Sequence, residues 1–164
     1  MTYPQKVDGF GTRYIGSDKL VNINTRDTFV RVIADEDITK GDLVAFSFAA
    51  TEPASGYGNH VLICDTGDAL NKQGIGVATA AIASGDIGTI QVAGICRFAK
   101  VDQASVSDGN ILTQGSNAGL LDLFDTSATP GASGGDALPV AICVKKAADN
   151  TASSVVYLMN PLNL

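Results

Sequence analysis

The chain has no tryptophan, one histidine and three cysteines, and each shortage excludes a class of function. Because His60 is the single histidine, most metal sites and acid–base catalytic sites that need several histidines are excluded. A histidine at the start of a strand is typically a hydrogen-bonded boundary residue. The cysteines Cys64, Cys96 and Cys143 form no CxxC pair. We therefore expect buried free thiols in a protein made in a reducing cytoplasm, with one disulfide and a spare thiol as the alternative.

Positive charge and long apolar runs are also scarce. Only 11 Lys and Arg stand against 17 Asp and Glu, which leaves a net charge of −6, and the basic residues are scattered. Nucleic acid binding needs clustered cations, so no nucleic acid partner is expected. No window approaches the ~20 apolar residues that span a bilayer, and the first residues contain no apolar signal segment, so no membrane partner is expected either.

What the chain does contain favours an all-β fold. It has 18 glycines, many Thr, Ser and Asn residues, and no long helical pattern rich in Leu, Glu and Lys. We interpret residues 1–26 as an extended N-terminal arm and residues 27–164 as a single β-domain. Short apolar runs between turn signals predict a compact antiparallel β-barrel or β-sandwich. The predicted strands are Thr28–Ile33, Val44–Phe48, His60–Cys64, two within 73–98, Ile111–Thr113, Leu120–Phe124, Leu138–Lys145 and Ser154–Met159.

The stretch 73–98 is the predicted centre of the domain. It reads as two strands joined by a tight Ser84-Gly85-Asp86 turn. Period-two alternation in the second strand predicts Ile90, Val92, Cys96 and Phe98 on a buried face. Thr89, Gln91 and Arg97 are on the opposite face, which is either wet or packed on a neighbour. A shift of 65 residues places this unit on residues 139–159, which predicts a pseudo-repeat of two hairpins.

One short pattern occurs three times: an apolar residue, two others, Gly, Asp or Asn, and an apolar residue. It is found at Ile38–Leu43, Ile82–Ile87 and Val106–Ile111. Glycine takes positive φ without steric cost and Asp or Asn tolerates turn backbone, so the pattern predicts three similar strand entries.

The N-terminal arm has the composition of a docking segment. It carries the aromatics Tyr3, Phe10 and Tyr14 among glycines, and Lys6, Arg13 and Lys19 outweigh its two aspartates. Exposed aromatics favour a covering partner, so we predict partner contacts by Tyr3, Phe10, Arg13 and Tyr14. The alternative is a loose strand on its own domain. At the other end, Leu162 and Leu164 are candidates for packing on a neighbour.

A catalytic serine is the main alternative that the motifs raise. Residues 131–135 read Gly-Ala-Ser-Gly-Gly, and His60, Asp86 or Asp102, and Ser133 follow the chain order of serine protease triads. The context disagrees, because Thr-Pro precedes the motif, Leu138-Pro139 follows it, and neither supplies the strand and helix of a nucleophile elbow. A Gly/Ser loop explains the same residues, and we expect no enzyme activity.

Metal and cofactor sites are not predicted. The acidic triplet Asp35-Glu36-Asp37 is more typical of a solvated turn than of a cation site. Gly74-Ile75-Gly76 lacks the third glycine and the helix of a dinucleotide fingerprint. Asp122 and Asp125 stand at a strand end, where solvation explains a carboxylate pair better than glycoside hydrolysis.

A family resemblance rests on the stretch from Gly74-Ile75-Gly76-Val77-Ala78, through the Ser84-Gly85-Asp86 turn, to Ile90–Ile95, and on the entry Gly41-Asp42-Leu43-Val44. These residues resemble the small capsid cement, or decoration, proteins of tailed bacteriophages. The resemblance covers about Thr28 to Met159, and the arm and the loop at 125–136 lie outside its pattern. It implies a non-enzymatic virion protein, often a trimer, that binds the major capsid protein on the outer surface of the assembled shell.

Two other functions are kept as alternatives. The first is a glycan- or receptor-binding β-domain of a phage fibre or surface protein, although sugar sites usually present aromatic platforms and this chain has no tryptophan and four scattered tyrosines. The second is a small serine hydrolase built on Ser133. A glycan array would identify the first, and a fluorophosphonate adduct would identify the second.

Overall fold

The computed structural model describes residues 27–47, 59–64, 73–115, 117–124, 138–149 and 152–159. Within these ranges the chain forms nine β-strands and no helix, which confirms the all-β prediction. No helix of the described part is long and apolar enough to cross a membrane. The strands are β1 (Thr28–Ala34), β2 (Leu43–Phe46), β3 (His60–Ile63), β4 (Gly74–Ala78), β5 (Ile87–Ala99), β6 (Ile111–Gln114), β7 (Leu121–Leu123), β8 (Ala141–Lys145) and β9 (Ser154–Leu158).

The first five strands form a closed barrel. Their order is β1-β3-β2-β4-β5, and β5 pairs back with β1. All of these pairs are antiparallel except β1 with β3. Closure leaves no open sheet edge in this half of the domain, so the barrel, and not the sandwich, is the architecture of this fold.

A second sheet grows from the same long strand. Its order is β5-β9-β8-β6-β7, and a parallel bridge between Val101 and Leu121 links its last strand to the segment after β5. The first half of β5 pairs with β1, and its second half pairs with β9 from Gly94 onward. Gly94 has a φ of 94°. Only glycine takes this conformation freely, and it re-aims the strand where the partner changes.

Two hydrophobic clusters fill the domain. One lies inside the barrel and includes Val44, Ile90 and Val92, and the other joins the barrel wall to the second sheet. β2 serves both clusters by alternation, because Val44 belongs to the first and its neighbours Leu43 and Ala45 to the second. The prediction that Cys96 continues the buried face of Ile90 was wrong, because Cys96 packs in the second cluster.

Strand β4 is buried along its whole length, which explains its small residues. A Cβ atom at Gly76 would lie 2.6 Å from the main-chain oxygen of Gln91, and one at Gly74 would lie 2.8 Å from Leu43 Cδ2. Gln91 of β5 lies opposite Val77 of β4 and is only 1% exposed. Its Nε2 donates to the main-chain oxygen of Ala93 at 3.2 Å. Of the two predictions for this face of β5, wet or packed on a neighbour, the structure shows the packed one at Gln91.

The three predicted strand entries are confirmed. Gly41, Gly85 and Gly109 have φ values of 90°, 84° and 88°. In each turn the residue after the glycine donates its N–H to the carbonyl three residues earlier, at 3.2, 3.0 and 3.1 Å respectively. Strands β2, β5 and β6 begin directly after these turns.

Each of these turns also holds one residue of a distant strand. The glycine N–H donates to one residue of that strand, and the N–H of the same residue donates back to the carbonyl of the Asp or Asn. The held residues are Ala78 for the first turn, Ala34 for the second and Cys143 for the third. The turns thus fix tertiary contacts as well as chain direction.

The barrel contains an internal repeat with a shift of 44 residues, which carries Ala34, Ile38 and Gly41 onto Ala78, Ile82 and Gly85. The turn of each copy holds the strand end of the other, and an antiparallel bridge pairs Ile38 with Ile82. The two copies therefore interlock about a pseudo-twofold axis at that bridge.

The predicted hairpins are corrected by this arrangement. β4 and β5 are paired, but the Ser84-Gly85-Asp86 turn holds Ala34 and is not a tight connection between them. β8 and β9 also form an antiparallel pair, and their register, with Ile142 opposite Tyr157, lies one residue from the 65-residue shift. The 44-residue shift describes the barrel better than the predicted 65-residue shift, because β5 has β1 as its main partner.

Candidate functional site

The residues predicted to contact a partner lie outside the described residues. These are Tyr3, Phe10, Arg13 and Tyr14 of the arm and Leu162 and Leu164 of the tail, and Ser133 and Asp125 lie outside as well. Their roles stay predictions. The described residues begin at Asp27, before β1, and end at Met159, after β9.

His60, the histidine of the serine hydrolase alternative, contacts a carboxylate that the sequence did not suggest. It is the first residue of β3, and its Nδ1 lies 2.6 Å from Asp35 Oδ1. Asp102 accepts hydrogen bonds from the Ala104 N–H and from Asn117, and Asp86 is exposed on the second turn. The histidine therefore links β3 to the end of β1, and neither proposed triad carboxylate orients it.

The acidic triplet after β1 is a set of structural links. Asp35 contacts His60, Glu36 Oε1 accepts the Ile63 N–H at 2.7 Å, and Asp37 Oδ1 accepts the Ser84 N–H at 2.9 Å. Each carboxylate thus ties the loop to a different backbone or side-chain group. Across the described ranges, no group of three or more His, Cys, Asp and Glu side chains is arranged to hold a metal ion.

The environment of Asp35 shifts its titration. Burial raises the pKa of the carboxyl, but hydrogen bonds from Ser47 and His60 and the charge of the imidazole outweigh burial and hold that pKa below its ordinary value. A carboxyl whose pKa is lower in the folded than in the unfolded protein stabilises the fold at pH values above its unfolded pKa, about 4. That stabilisation is lost as the pH falls through its folded pKa.

We therefore expect Asp35→Asn to flatten the acid side of the stability profile. Wild-type protein loses free energy of unfolding as the pH falls below about 5, and the variant loses less over the same range. Urea unfolding at pH 7, 5, 4 and 3 measures the slope. Ser47→Ala keeps the carboxylate and removes one donor, so its slope should be intermediate, and a variant slope equal to wild type would contradict the role of Asp35.

The three cysteines are buried thiols, as predicted. Cys64 Sγ donates to Gln114 Oε1 at 3.4 Å. Burial raises the pKa of Cys96 to about 11 and also raises that of Cys143. Nucleophilic and redox chemistry needs an accessible thiolate, so these thiols are core residues.

The apolar side chains at the start of β1 form an exposed surface. Thr28, Phe29, Val30 and Arg31 are all exposed, with Phe29 at 51% and Val30 at 41%. Further along β1, Ile33 lies opposite Ile87 of β5, which is 61% exposed. We define Phe29, Arg31, Ile33 and Ile87 as the arm-root surface, because residues 1–26 directly precede β1 in the sequence.

The arm-root surface has features of an interaction site. Phe29, Arg31 and Ile33 alternate along one face of β1, so an arginine stands between two apolar side chains. Clustered apolar exposure marks interaction surfaces more often than isolated residues do, and aromatic residues and arginine are enriched at interfaces. The alternation in β1 is readable from the sequence, but only the β1–β5 register brings Ile87 beside Ile33.

Comparisons with known proteins add no candidate, because no protein-family model and no curated protein matches this chain. The function is therefore inferred from the surfaces of the molecule and from the composition of the arm.

Proposed function

We propose that the protein is a non-enzymatic virion structural protein, a cement or decoration protein that binds the outer surface of an assembled phage capsid and stabilises it. The observation that carries the proposal is the arm-root surface, where apolar side chains and Arg31 are exposed on and beside β1, the strand that follows the aromatic residues 1–26 in the sequence. The resemblance of the Gly41-Asp42-Leu43-Val44 entry and the 74–95 stretch to cement proteins supports the same function.

The partner under this proposal is the major capsid protein, and the working form is a homo-oligomer, with a trimer favoured. The arm and the arm-root surface form one continuous contact with the shell. The arm contributes Tyr3, Phe10, Arg13 and Tyr14. Leu162 and Leu164 serve contacts between neighbours. Burying the exposed half of one phenylalanine contributes about 1–2 kcal/mol, so several such contacts give useful affinity.

Stabilisation of the shell follows from mass action. A protein that binds the assembled lattice more tightly than free subunits shifts the equilibrium toward the lattice. Many copies on one shell, each bound at several points if the protein is a trimer, add their contributions. The closed barrel suits this role because it presents no sheet edge that could pair with the wrong partner.

Co-sedimentation with assembled capsids tests the proposal. Full-length protein is expected to pellet with capsids, and deletion of residues 2–20 is expected to abolish the association. Phe29→Ser with Ile87→Ser should weaken it about tenfold or more, because two buried side chains are lost. Leu123→Ser is the matched control, since Leu123 is an exposed apolar residue at 39% on β7, outside the arm-root surface.

Two outcomes would contradict the proposal. A protein that stays monomeric by light scattering and does not pellet with capsids is not a cement protein of that lattice. If the deletion of residues 2–20 leaves capsid binding unchanged, the arm is not the contact. Specific binding on a glycan array would instead favour the alternative of a glycan- or receptor-binding domain.

A further inference from the structure

The first half of β1 is paired on one side only. On that side it pairs with β5 from Thr28 onward. On the other side β3 begins at His60, and its register reaches β1 only at Ile33 and Ala34. The closed ring of the barrel therefore uses the second half of β1, and the first half runs past the ring. Among the described strands, none lies beside the part of β1 that precedes Ile33 on the β3 side.

The hydrogen bonds of β1 show which main-chain groups face this gap. The N–H of Ala34 is bonded on the β5 side, at 3.0 Å, and the N–H of Ile33 is bonded to Asn59 on the other side, at 2.8 Å. Successive residues of a strand direct their main-chain groups to alternate sides, so those of Phe29 and Arg31 point the same way as those of Ile33. No described residue forms a main-chain hydrogen bond with Phe29 or Arg31 on this side. We call the N–H and C=O groups of these two residues the open margin.

The side chains at the open margin suit a bound strand. Phe29 and Arg31 are both exposed and lie two residues apart on one face of β1. A strand added here would place its alternate side chains beside them. Within the described part of the chain Arg31 has no ion-pair partner, and a guanidinium that loses water on binding needs an acceptor. The matching strand therefore carries an acidic residue beside Arg31 and an apolar residue beside Phe29.

The wall of the barrel beside the open margin has a buried counterpart in the same barrel. Ile33 lies opposite Ile87, and the 44-residue shift carries this pair onto Val77 and Leu43, which also lie opposite each other. Val77 and Leu43 are fully buried in the cluster that joins the barrel to the second sheet. Ile87, the equivalent of Leu43, is 61% exposed. The chain thus covers one of two equivalent walls with its own β-structure and leaves the other for a partner.

We propose that an extended segment of the major capsid protein pairs with the open margin as an added strand and places an acidic side chain beside Arg31. This contact rests on the capsid binding proposed above, and it identifies the part of the shell that meets the arm-root surface. Asn59 already occupies the place beside Ile33, so the added strand is no longer than the first half of β1. Main-chain hydrogen bonds supply affinity, and the side chains beside Phe29 and Arg31 supply specificity.

Amide hydrogen exchange of the full-length protein, free and bound to assembled capsids, tests the contact residue by residue. Bound protein is exchanged in D2O, quenched, released and read by NMR. In the free protein the amides of Phe29 and Arg31 are expected to exchange rapidly, because no described partner accepts them. On capsids their exchange should slow by about tenfold or more. Val30 and Val32 point to β5, so their amides should be protected in both states and serve as internal controls.

The outcomes separate this contact from the proposed function. If the protein pellets with capsids but the Phe29 and Arg31 amides exchange as fast as in the free protein, strand addition is wrong and capsid binding stands. If the protein does not pellet, the proposed function itself fails. Protection of both amides in the free protein that is lost on dilution would show that a second copy of the chain pairs with the open margin, which also overturns the proposal.

A charge reversal tests the acidic residue of the partner strand. Arg31→Glu is expected to weaken capsid binding about tenfold or more in co-sedimentation, because like charges then face each other. Arg97→Glu is the matched control, since it makes the same change at an exposed arginine of β5 outside the arm-root surface. Equal binding by the two variants would contradict an acidic partner at Arg31.

Discussion

Replacement of Gly41 by alanine is expected to destabilise the protein by about 4 kcal/mol, enough to unfold a marginally stable domain. Gly41 has a φ of 90°, a conformation that costs an alanine about 1–2 kcal/mol. A Cβ at this position would also lie 2.3 Å from the main-chain oxygen of Phe98, and the Lys100 N–H donates to the Gly41 carbonyl at 3.0 Å. Backbone held on both sides cannot move away, so the clash adds to the strain.

The repeated turns supply the controls for this prediction. Gly85 and Gly109 have nearly the same φ, 84° and 88°, and a Cβ at either position would meet nothing within 4 Å. Their alanine variants should therefore lose only the conformational part, about 1–2 kcal/mol. Urea unfolding of the three variants measures the difference. Equal losses at all three glycines would show that the close approach to Phe98 has no energetic weight.

Removal of the Asp42 carboxylate is expected to have the second largest effect. Asp42 is only 5% exposed, and its Oδ2 accepts hydrogen bonds from the Thr39 N–H and hydroxyl, each at 2.8 Å. Its Oδ1 lies 2.7 Å from the Lys100 ammonium. Asp42→Ala leaves the part-buried Thr39 N–H without its acceptor and leaves the Lys100 ammonium with only the Thr39 hydroxyl. We expect a loss of about 2 kcal/mol after allowing for solvent screening at Lys100.

Asp86→Ala is the matched control for Asp42→Ala. Asp86 occupies the same place in the second turn but is exposed, so its removal should cost less than about 1 kcal/mol. A double-mutant cycle with Lys100→Met isolates the ion pair from the capping hydrogen bonds. If Asp42→Ala and Asp86→Ala unfold at the same urea concentration, the buried carboxylate does not stabilise the first turn.

Features with local causes could be predicted from the sequence. The nine strands follow from short apolar runs between turn residues, and the three turns follow from a glycine that must take positive φ before an Asp or Asn. Burial of the cysteines follows from the apolar runs that contain them. Each of these features depends on residues only a few positions apart, where backbone conformation and side-chain alternation determine the outcome.

Features with long-range causes were predicted incorrectly or not at all. The Ser84-Gly85-Asp86 turn reads as a hairpin connection, but it holds Ala34. The sequence leaves Gln91 on a face that is either wet or packed on a neighbour, and only the structure shows that it is buried opposite Val77 of β4. The contact of His60 with Asp35 has no signal in the sequence beyond the two residue types. In each case the partner lies far along the chain, and the pairing depends on many weak contacts acting together.

By itself the sequence determined that this protein is all-β with glycine turns and buried thiols, and that residues 1–26 are aromatic and slightly basic in composition, because composition and local backbone preference suffice for those conclusions. Only the tertiary structure decided that the strands close into a barrel and that two interlocked copies repeat every 44 residues. It also decided that Ile87 joins Phe29 on the arm-root surface and that four residues of the second sheet lie opposite one another across its strands: Ile95, Tyr157, Ile142 and Ile111. Register between distant strands places these side chains, and register is a property of the whole packed domain.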